Sequence, residues 1–240
     1  MFTPQGPTLR ELAVQALSSV ERGYDLLAPK FDQTPFRTPD VVLDPVTRAL
    51  RELGPYGTGL DLCCGTGAGL GVLREVCAGR VVGVDFSAGM LEVAREGEPT
   101  ASYVRGDALR LPFGPVFDLV VSFGAFGHFL PGQYPELFTQ VRQVLRPGGQ
   151  LVFPLPAPAR PGSRGYWAML GFDSVMRVRN AVWRPLFVMY YRPFRLGDVR
   201  RELDRAGFDV ALRALPELGE RPDGTPRCRL VVATRRALSA

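Results

Sequence analysis

The amino-acid sequence predicts an α/β fold in which a mostly parallel β-sheet is flanked by helices. Between about residues 58 and 155, short apolar segments alternate with helical segments of about 10–15 residues, which is the pattern of βαβ units. Two late strands have no helix between them and are expected to add an antiparallel edge. With 240 residues, 46% of them hydrophobic, the chain can bury a large core without disulfides or metals.

The first 53 residues are predicted to form an N-terminal helical cap. Residues 8–11, Thr-Leu-Arg-Glu, have the form of a capping box, and apolar residues at helical spacing follow it. Residues 29–40 contain three prolines and are expected to form an irregular connection. A second helix is expected from about residue 44 to 53. Residues 54–240 then form the main domain.

The hydrophobic period changes at the start of the main domain. Its predicted strands are short and apolar, and they occupy residues 60–64, 80–86, 102–105, 117–123, 150–154, 209–214 and 229–234. Its predicted helices have apolar positions at helical spacing, and they occupy residues 70–77, 87–96, 133–146 and 198–206. The third of these helices is expected to stop at the Pro-Gly-Gly of residues 147–149.

The ionisable residues exclude several kinds of site. Lys30 is the only lysine and His128 the only histidine, so lysine chemistry is confined to residue 30 and a multi-histidine metal site is impossible. The four cysteines form no CxxC pair and no disulfide framework, which indicates reduced thiols. No apolar run is long enough for a transmembrane helix, and the N-terminus lacks a signal-peptide pattern. We therefore expect a cytoplasmic protein with no bound metal.

Charge is divided unevenly along the chain. Residues 1–159 contain 13 cations and 16 acids, whereas residues 160–240 contain 16 cations and 8 acids. Residues 156–196 are rich in arginine and contain both tryptophans. This insertion suits a planar, apolar or anionic acceptor, and it also suits nucleic-acid bases and phosphates. A helical cap with an arginine-covered outer face fits the same composition.

A glycine-rich turn follows the first strand of the main domain. Residues 61–69 read Asp-Leu-Cys-Cys-Gly-Thr-Gly-Ala-Gly, and such a turn lets backbone N–H groups at a helix N-terminus approach a ligand closely. Neither frame of the turn fits the Gly-x-Gly-x-x-Gly fingerprint of nicotinamide cofactors, because Leu70 or Cys63 falls on a glycine position. Asp61 also suits a ligand with an ammonium group better than a pyrophosphate.

Further motifs follow the next strands. Asp85 ends the second strand, where a carboxylate can accept hydrogen bonds from both ribose hydroxyls. Asp107 ends the third strand and can accept a hydrogen bond from an exocyclic amine. The fourth motif is Phe-Asp-Leu-Val-Val-Ser-Phe-Gly at residues 117–124, shortly before His128, and the fifth is Leu-Arg-Pro-Gly-Gly at residues 145–149.

In this order and spacing, the five motifs resemble those of the class I S-adenosylmethionine-dependent methyltransferases, and the likeness runs from about residue 58 to 155. Residues 24–29 are similar to the family's entry segment. One position departs from the pattern, since the family usually has glycine where this chain has Cys63. The resemblance implies a Rossmann-like seven-stranded sheet of order 3-2-1-4-5-7-6, with strand 7 antiparallel and the insertion of residues 156–196 between strands 5 and 6.

The resemblance also implies a cofactor and its binding residues. S-adenosylmethionine would donate a methyl group to an O, N or C atom of a small molecule and leave as S-adenosylhomocysteine. Asp61 and the backbone of residues 63–67 would hold its methionine end, Asp85 its ribose and Asp107 its adenine amine. The residues implied to bind the cofactor are Tyr24, Asp61, Cys63, Cys64, Gly65, Thr66, Gly67, Asp85, Phe86, Met90, Asp107, Ala108, Ser122, Phe123 and Gly124.

The acceptor side is less determined by the sequence. His128 is a candidate general base because it closely follows the fourth strand, and a packing role beside Phe126 and Phe129 is the alternative. An RNA or DNA methyltransferase is a second hypothesis, although no Asn-Pro-Pro-Tyr motif follows the fourth strand. A protein that binds the cofactor without methylating is a third. The protein is expected to be a monomer or a homodimer.

Overall fold

The computed structural model of the chain contains a single seven-stranded sheet. Its strands are β1 Gly59–Leu62, β2 Val81–Asp85, β3 Ser102–Arg105, β4 Phe117–Val121, β5 Leu145–Pro156, β6 Phe208–Ala214 and β7 Cys228–Arg235. Their order is β3-β2-β1-β4-β5-β7-β6, with β1 to β5 parallel and β7 antiparallel to both of its neighbours. The predicted sheet order and the reversed direction of strand 7 are confirmed.

The structure describes residues 6–8, 20–34, 36–160, 162–163, 166–167, 170–171, 174 and 196–237. Most of the predicted opening helix and most of the insertion at residues 156–196 lie outside these residues. The division at residue 53 between a helical cap and a main domain stays a prediction.

The described helices cover both faces of the sheet. They are α1 Val20–Leu27, α2 Asp40–Leu53, α3 Ala68–Val76, α4 Ala88–Gly97, α5 Tyr134–Val144 and α6 Leu196–Arg205, with short 3-10 helices at Ala28–Gln33, Phe126–His128, Pro131–Gln133 and Pro216–Leu218. Helices α5 and α6 bury their apolar sides on one face, and α2 and α3 do so on the other. None of the helices in the described ranges is both long and apolar enough to cross a membrane.

The strand side chains divide between these two faces. Leu60 and Leu62 of β1 and Val120 of β4 join the core under α5 and α6. Leu119 and Val121 of β4 join the core under α2 and α3. This alternation buries each central strand on both faces, as parallel sheets require, and it leaves the ends of the strands as the place for polar side chains.

Helix α2 begins earlier than the sequence predicts. Prolines in residues 29–40 suggested an irregular connection, but a 3-10 helix covers Ala28–Gln33 and α2 already starts at Asp40. Pro45 therefore lies inside α2 rather than in its first turn. The buried side chains of Leu43 and Leu50 offset the hydrogen bond that a proline inside a helix removes.

Strand β5 is longer than predicted and contains a bulge. The helix before it ends at Val144 rather than at residue 146, and the strand starts at Leu145, which pairs with Phe117. The next pair along β4 joins Leu119 to Gln150, so residues 146–149 loop out of the ladder. The Pro-Gly-Gly segment thus forms a bulge within the strand rather than a stop between helix and strand.

Asp118, the second residue of β4, links the amino-terminal ends of neighbouring strands by hydrogen bonds. Its carboxylate accepts hydrogen bonds from the Thr58 N–H at 2.7 Å and the Gly57 N–H at 3.1 Å, and it pairs with Arg146 at 2.7 Å. Burial alone would raise the pKa of Asp118, but the bonds from Thr58 and Arg146 outweigh it and lower the pKa below its ordinary value. One side chain thereby ties the start of β1 to β4 and to the bulge of β5.

Asp118→Ala is expected to lower the free energy of unfolding by about 1–3 kcal/mol at pH 7, because it removes charge-assisted hydrogen bonds at three chain segments. Since folding lowers the pKa of Asp118, its contribution is present above the ordinary value of 3.8 and is lost as the pH falls through the lower folded value. Urea unfolding at neutral and acidic pH measures the difference. The exposed Asp44→Ala serves as control, and equal stability of the two variants at pH 7 would contradict the assignment.

Candidate functional site

A cavity of about 670 Å³ lies at the carboxyl ends of the central parallel strands. Residues that follow β1, β2, β3 and β4 line it, together with residues from the segment 24–38. Of the residues predicted for the site, Gly67 and Ser122 are not in its lining. The others do line it, and they are Tyr24, Asp61, Cys63, Cys64, Gly65, Thr66, Asp85, Phe86, Met90, Asp107, Ala108, Phe123, Gly124 and His128.

Gly67 and Ser122 lie outside the lining but stabilise the loops beside it. Gly67 is the N-cap of α3, with φ +96°, a conformation that favours glycine. Ser122 is buried and donates a hydrogen bond through Oγ to the Leu62 carbonyl at 2.9 Å. Both residues therefore shape the loops that carry lining residues.

The glycine-rich turn winds through left-handed backbone conformations. Cys63 has φ +57° and Gly65 has φ +51°. A non-glycine residue in this region costs roughly 1–2 kcal/mol, so the departure at Cys63 leaves the turn intact at some cost in strain. The turn is pinned to β2 by a hydrogen bond of 2.9 Å from the Cys64 N–H to the Val84 carbonyl.

The adjacent thiols of Cys63 and Cys64 are unreactive at neutral pH. Burial, followed by the nearby carboxylates, raises the pKa of Cys63 and of Cys64 well above the ordinary value. Both thiols are therefore protonated at neutral pH, and neither supplies the thiolate that a nucleophile or metal ligand requires. Among the residues that the structure describes, no group of three His, Cys, Asp or Glu side chains could hold a metal ion.

Asp61 is a buried carboxylate with an unused oxygen. Its side chain is 1% exposed, and its Oδ2 atom has no hydrogen-bond partner. Burial and then the charge of Asp85 raise the pKa of Asp61, while the N–H groups of Gly69 and Leu70 act in the opposite direction. A buried carboxylate oxygen without a donor costs free energy, and a cationic or N–H-bearing ligand would remove that cost.

Asp85 ends β2 and is held by the two loops beside it. Its Oδ2 accepts from the Gly65 N–H at 2.9 Å, and its Oδ1 accepts from the Ser87 N–H at 2.9 Å. Burial raises its pKa, although these N–H groups oppose the shift. An ionised carboxylate has about four acceptor positions, so Asp85 can still accept from a hydroxyl donor in the cavity.

The third acid lies at the rim of the cavity. Asp107 is exposed, and its Oδ1 accepts from the Leu109 N–H at 2.9 Å. Its other oxygen is available to a ligand amine, and Ala108 beside it is buried. Asp61, Asp85 and Asp107 thus follow one another across three adjacent strands, as the resemblance implied.

The segment 24–38 forms a wall of the cavity that sequence reasoning largely missed. Tyr24 was expected there, and its ring packs edge-on against Phe86 with centroids 5.8 Å apart. Phe31, Phe36 and Arg37 also line the cavity. Their signal was weak, because prolines interrupt any periodicity in this part of the chain and only the tertiary structure brings it over the strands.

His128 lies next to Tyr24 in the same wall. The Tyr24 Oη and His128 Nε2 atoms are 3.3 Å apart, and the two rings are nearly perpendicular. Burial lowers the pKa of His128 from 6.5 to about 4. The imidazole is therefore neutral at physiological pH and can accept a proton or a hydrogen bond, although it is a weak base.

Sequence comparisons place the chain among methyltransferases. Residues 60–149 match a family model described as a methyltransferase domain. An uncharacterized methyltransferase of Synechocystis is 34% identical over 157 residues, which cover 65% of this chain and 68% of that protein. The 2-phytyl-1,4-naphtoquinone methyltransferase of Nostoc punctiforme is 32% identical over 170 residues, covering 64% and 73%. A tRNA (carboxymethyluridine(34)-5-O)-methyltransferase of Saccharomyces cerevisiae is 29% identical, covering 66% and 55%.

A comparison with solved structures gives the same fold. Human N-acetylserotonin methyltransferase, solved in complex with SAM, superposes with a TM-score of 0.63 at 14% sequence identity, covering 90% of this chain and 57% of that one. At this identity the likeness establishes the fold alone.

Gly69→Ala is expected to weaken binding of S-adenosylhomocysteine by about tenfold or more, because the new methyl group would lie 2.5 Å from Asp61 Oδ2 and displace the carboxylate. Gly71→Ala, in the same helix, is the matched control, since its methyl group would meet only Glu98 at 4.0 Å. Calorimetric titration measures both affinities. If the Gly69 and Gly71 variants bind equally well, Asp61 does not hold the ligand.

Proposed function

This chain belongs to the class I S-adenosylmethionine-dependent methyltransferases, and on that premise we propose that it methylates a small, flat and largely apolar acceptor. The observation that carries the proposal is the division of the cavity's lining. Acids at the strand ends offer hydrogen-bond acceptors for the polar groups of the cofactor. Aromatic side chains that the cofactor does not require line another part of the cavity.

The polar groups of the cavity fit the cofactor. The unpartnered Oδ2 of Asp61 suits its ammonium group, and the remaining acceptor positions of Asp85 suit its two ribose hydroxyls. Asp107 is proposed to accept a hydrogen bond from the adenine amine. When bound, S-adenosylmethionine supplies an electrophilic methyl group on its sulfonium; the chain's own residues bind, orient and exclude water.

The acceptor is proposed to be an uncharged ring system. Phe31, Phe36 and Phe129 line the cavity without a role in the cofactor site. Within the described part of the lining, the one guanidinium is that of Arg37, which already pairs with Asp40 at 3.0 Å and lies 3.7 Å from Asp32. Its charge is therefore balanced, which favours a neutral acceptor over the anionic one also considered from the sequence. The Nostoc relative, named for a naphthoquinone, supports a flat acceptor.

His128 is proposed to face the acceptor and to receive its proton if the acceptor loses one. The ideal base has a pKa near the working pH, and the pKa of His128 is only about 4. Proton acceptance by His128 therefore has to be concerted with methyl transfer or followed by release to water. Positioning of the acceptor accounts for most of the rate under this proposal.

The proposed reaction is tested by incubating the protein with methyl-labelled S-adenosylmethionine and two acceptor sets, a panel of phenols, quinols and naphthoquinols and a bulk tRNA fraction at low salt. Label is expected in a small molecule and not in RNA. Label in RNA would replace the proposal with the nucleic-acid alternative, and binding of the cofactor with no label anywhere would favour a protein that binds without methylating.

Asp61→Asn is expected to weaken ligand binding without lowering the stability of the fold. Losing the carboxylate should weaken S-adenosylhomocysteine binding by about 100-fold, since a buried charge partner of the ammonium is removed. Because folding raises the pKa of Asp61, its ionised form opposes folding at pH 7, so the variant should melt at the same temperature as the unaltered protein or higher. Asp44→Asn, at an exposed position, should change neither quantity. A variant that binds normally, or one that simply unfolds, would contradict this account of Asp61.

His128→Gln is expected to lower kcat by about 100-fold, the lower end of the range for a general base, while S-adenosylhomocysteine affinity stays within about threefold. Because burial lowers the pKa of His128 to about 4, the rate of the unaltered enzyme should be flat between about pH 5.5 and 8. Steady-state kinetics across this range measure both effects. Unchanged turnover would assign His128 to packing.

A further inference from the structure

We infer that Asp25 of α1 is a positioning residue for the cofactor, because its carboxylate caps α4 and, through Ser87, fixes the carboxylate of Asp85. The inference rests on the proposed cofactor site. It assigns a cofactor-related role to a residue that does not line the cavity.

Two hydrogen bonds from the start of α4 to α1 end on the same oxygen atom. Asp25 Oδ1 accepts from the Ser87 Oγ–H at 2.6 Å and from the Gly89 N–H at 2.9 Å. Ser87 Oγ in turn accepts from the Met90 N–H at 3.1 Å. Ser87 is thus the N-cap of α4, and the carboxylate of Asp25 satisfies a second free N–H at a helix end that favours negative charge.

Ser87 connects this cap to the predicted ribose site. Its N–H donates to Asp85 Oδ1 at 2.9 Å, while its Oγ–H donates to Asp25. Asp85 Oδ2 is held from the other side by the Gly65 N–H. Backbone N–H groups on both sides therefore orient the carboxylate of Asp85, and one of them belongs to Ser87, whose hydroxyl is bonded to α1.

The two carboxylates on either side of Ser87 repel each other. After the larger effect of burial, the charge of Asp25 raises the pKa of Asp85. Docking of α1 thus brings a second negative charge towards the hydroxyl-binding group. Hydroxyl donors on Asp85 would offset this repulsion, so a filled ribose site and a docked α1 should favour one another.

The fit between the two helices also depends on Gly89. A methyl group at this position would lie 3.0 Å from the Asp25 Cα and 3.1 Å from its carbonyl oxygen, closer than side chains normally approach backbone. The glycine permits the close approach that the hydrogen bond requires. This gives a second, independent way to disturb the contact, without removing any hydrogen-bonding group.

The same segment of chain contains a single lysine, so its position can be followed by proteolysis. Lys30 lies in the 3-10 helix Ala28–Gln33 that follows α1, and it is the only lysine of the sequence. A lysine-specific protease can therefore cut the native chain only after Lys30. The rate of this single cleavage reports how often the segment leaves its place over the cavity.

The first test compares Asp25→Ala, Asp25→Asn and Asp44→Ala by calorimetric titration with S-adenosylhomocysteine. Asp25→Ala should weaken binding by about tenfold, the size expected for losing a charge-assisted hydrogen bond. Asp25→Asn keeps an oxygen acceptor for both donors and should recover most of the affinity. Asp44→Ala removes an exposed acid of the same size and should bind as the unaltered protein does.

The second test compares Gly89→Ala with Gly97→Ala, which lies in the same helix and whose new methyl group would meet nothing within 4 Å. Gly89→Ala should weaken S-adenosylhomocysteine binding and speed cleavage after Lys30, and added ligand should protect it less than it protects the control. A simple loss of stability is recognised by a melting temperature of the Gly89→Ala variant below that of the Gly97→Ala variant.

The outcomes separate this inference from the proposed function. If the unaltered protein binds no S-adenosylhomocysteine, the cofactor proposal fails and the inference falls with it. If the unaltered protein binds but Asp25→Ala and Gly89→Ala bind as tightly as their controls, the inference alone is overturned. Loss of affinity in both variants, with rescue by Asp25→Asn, supports it.

Discussion

The cavity is built around two buried carboxylates that repel each other, those of Asp61 and Asp85. Burial raises the pKa of both side chains, and the charge of Asp85 adds to the shift of Asp61. Keeping both ionised inside a protein costs free energy unless donors surround them, and the fold compensates only in part. Backbone N–H groups serve Asp85, whereas Asp61 retains an oxygen without a partner. What the fold leaves uncompensated is what a cationic, hydroxyl-bearing ligand provides.

The N-terminal segment completes this arrangement rather than merely covering it. Tyr24 packs on Phe86 and lies beside His128, while Asp25 caps α4 behind the carboxylate of Asp85. A further hydrogen bond of 2.6 Å joins Thr66, in the glycine-rich turn, to Asp32. The loops that would hold a cofactor are thus bonded on their outer side to the same stretch of chain, so their geometry is a tertiary property of the folded domain.

Much of the sheet was predictable because strand and helix periods alternate clearly along the main domain, and the resemblance supplied the strand order. Asp61, Asp85 and Asp107 were predictable for the same reason, since each lies at or near the end of a strand. The aromatic wall at Phe31 and Phe36 was not, because proline-rich sequence has no period that shows which side faces the core. Asp25 belongs to the segment that resembles the family's entry segment, but its role was not predicted because its partners lie more than 60 residues away, and no local pattern encodes such a pairing.

Under the proposed function, residues of the stretch 24–34 and 36–38 would contact both the cofactor and the acceptor, and this sharing would have a kinetic consequence. Tyr24, Phe31 and Phe36 all line the cavity and belong to the same stretch of chain. If this stretch takes its place over the cavity only when the nucleoside is bound, the nucleoside would bind before the acceptor and leave after the methylated product. Exchange of the nucleoside, rather than the displacement at sulfur, would then set the pace of turnover.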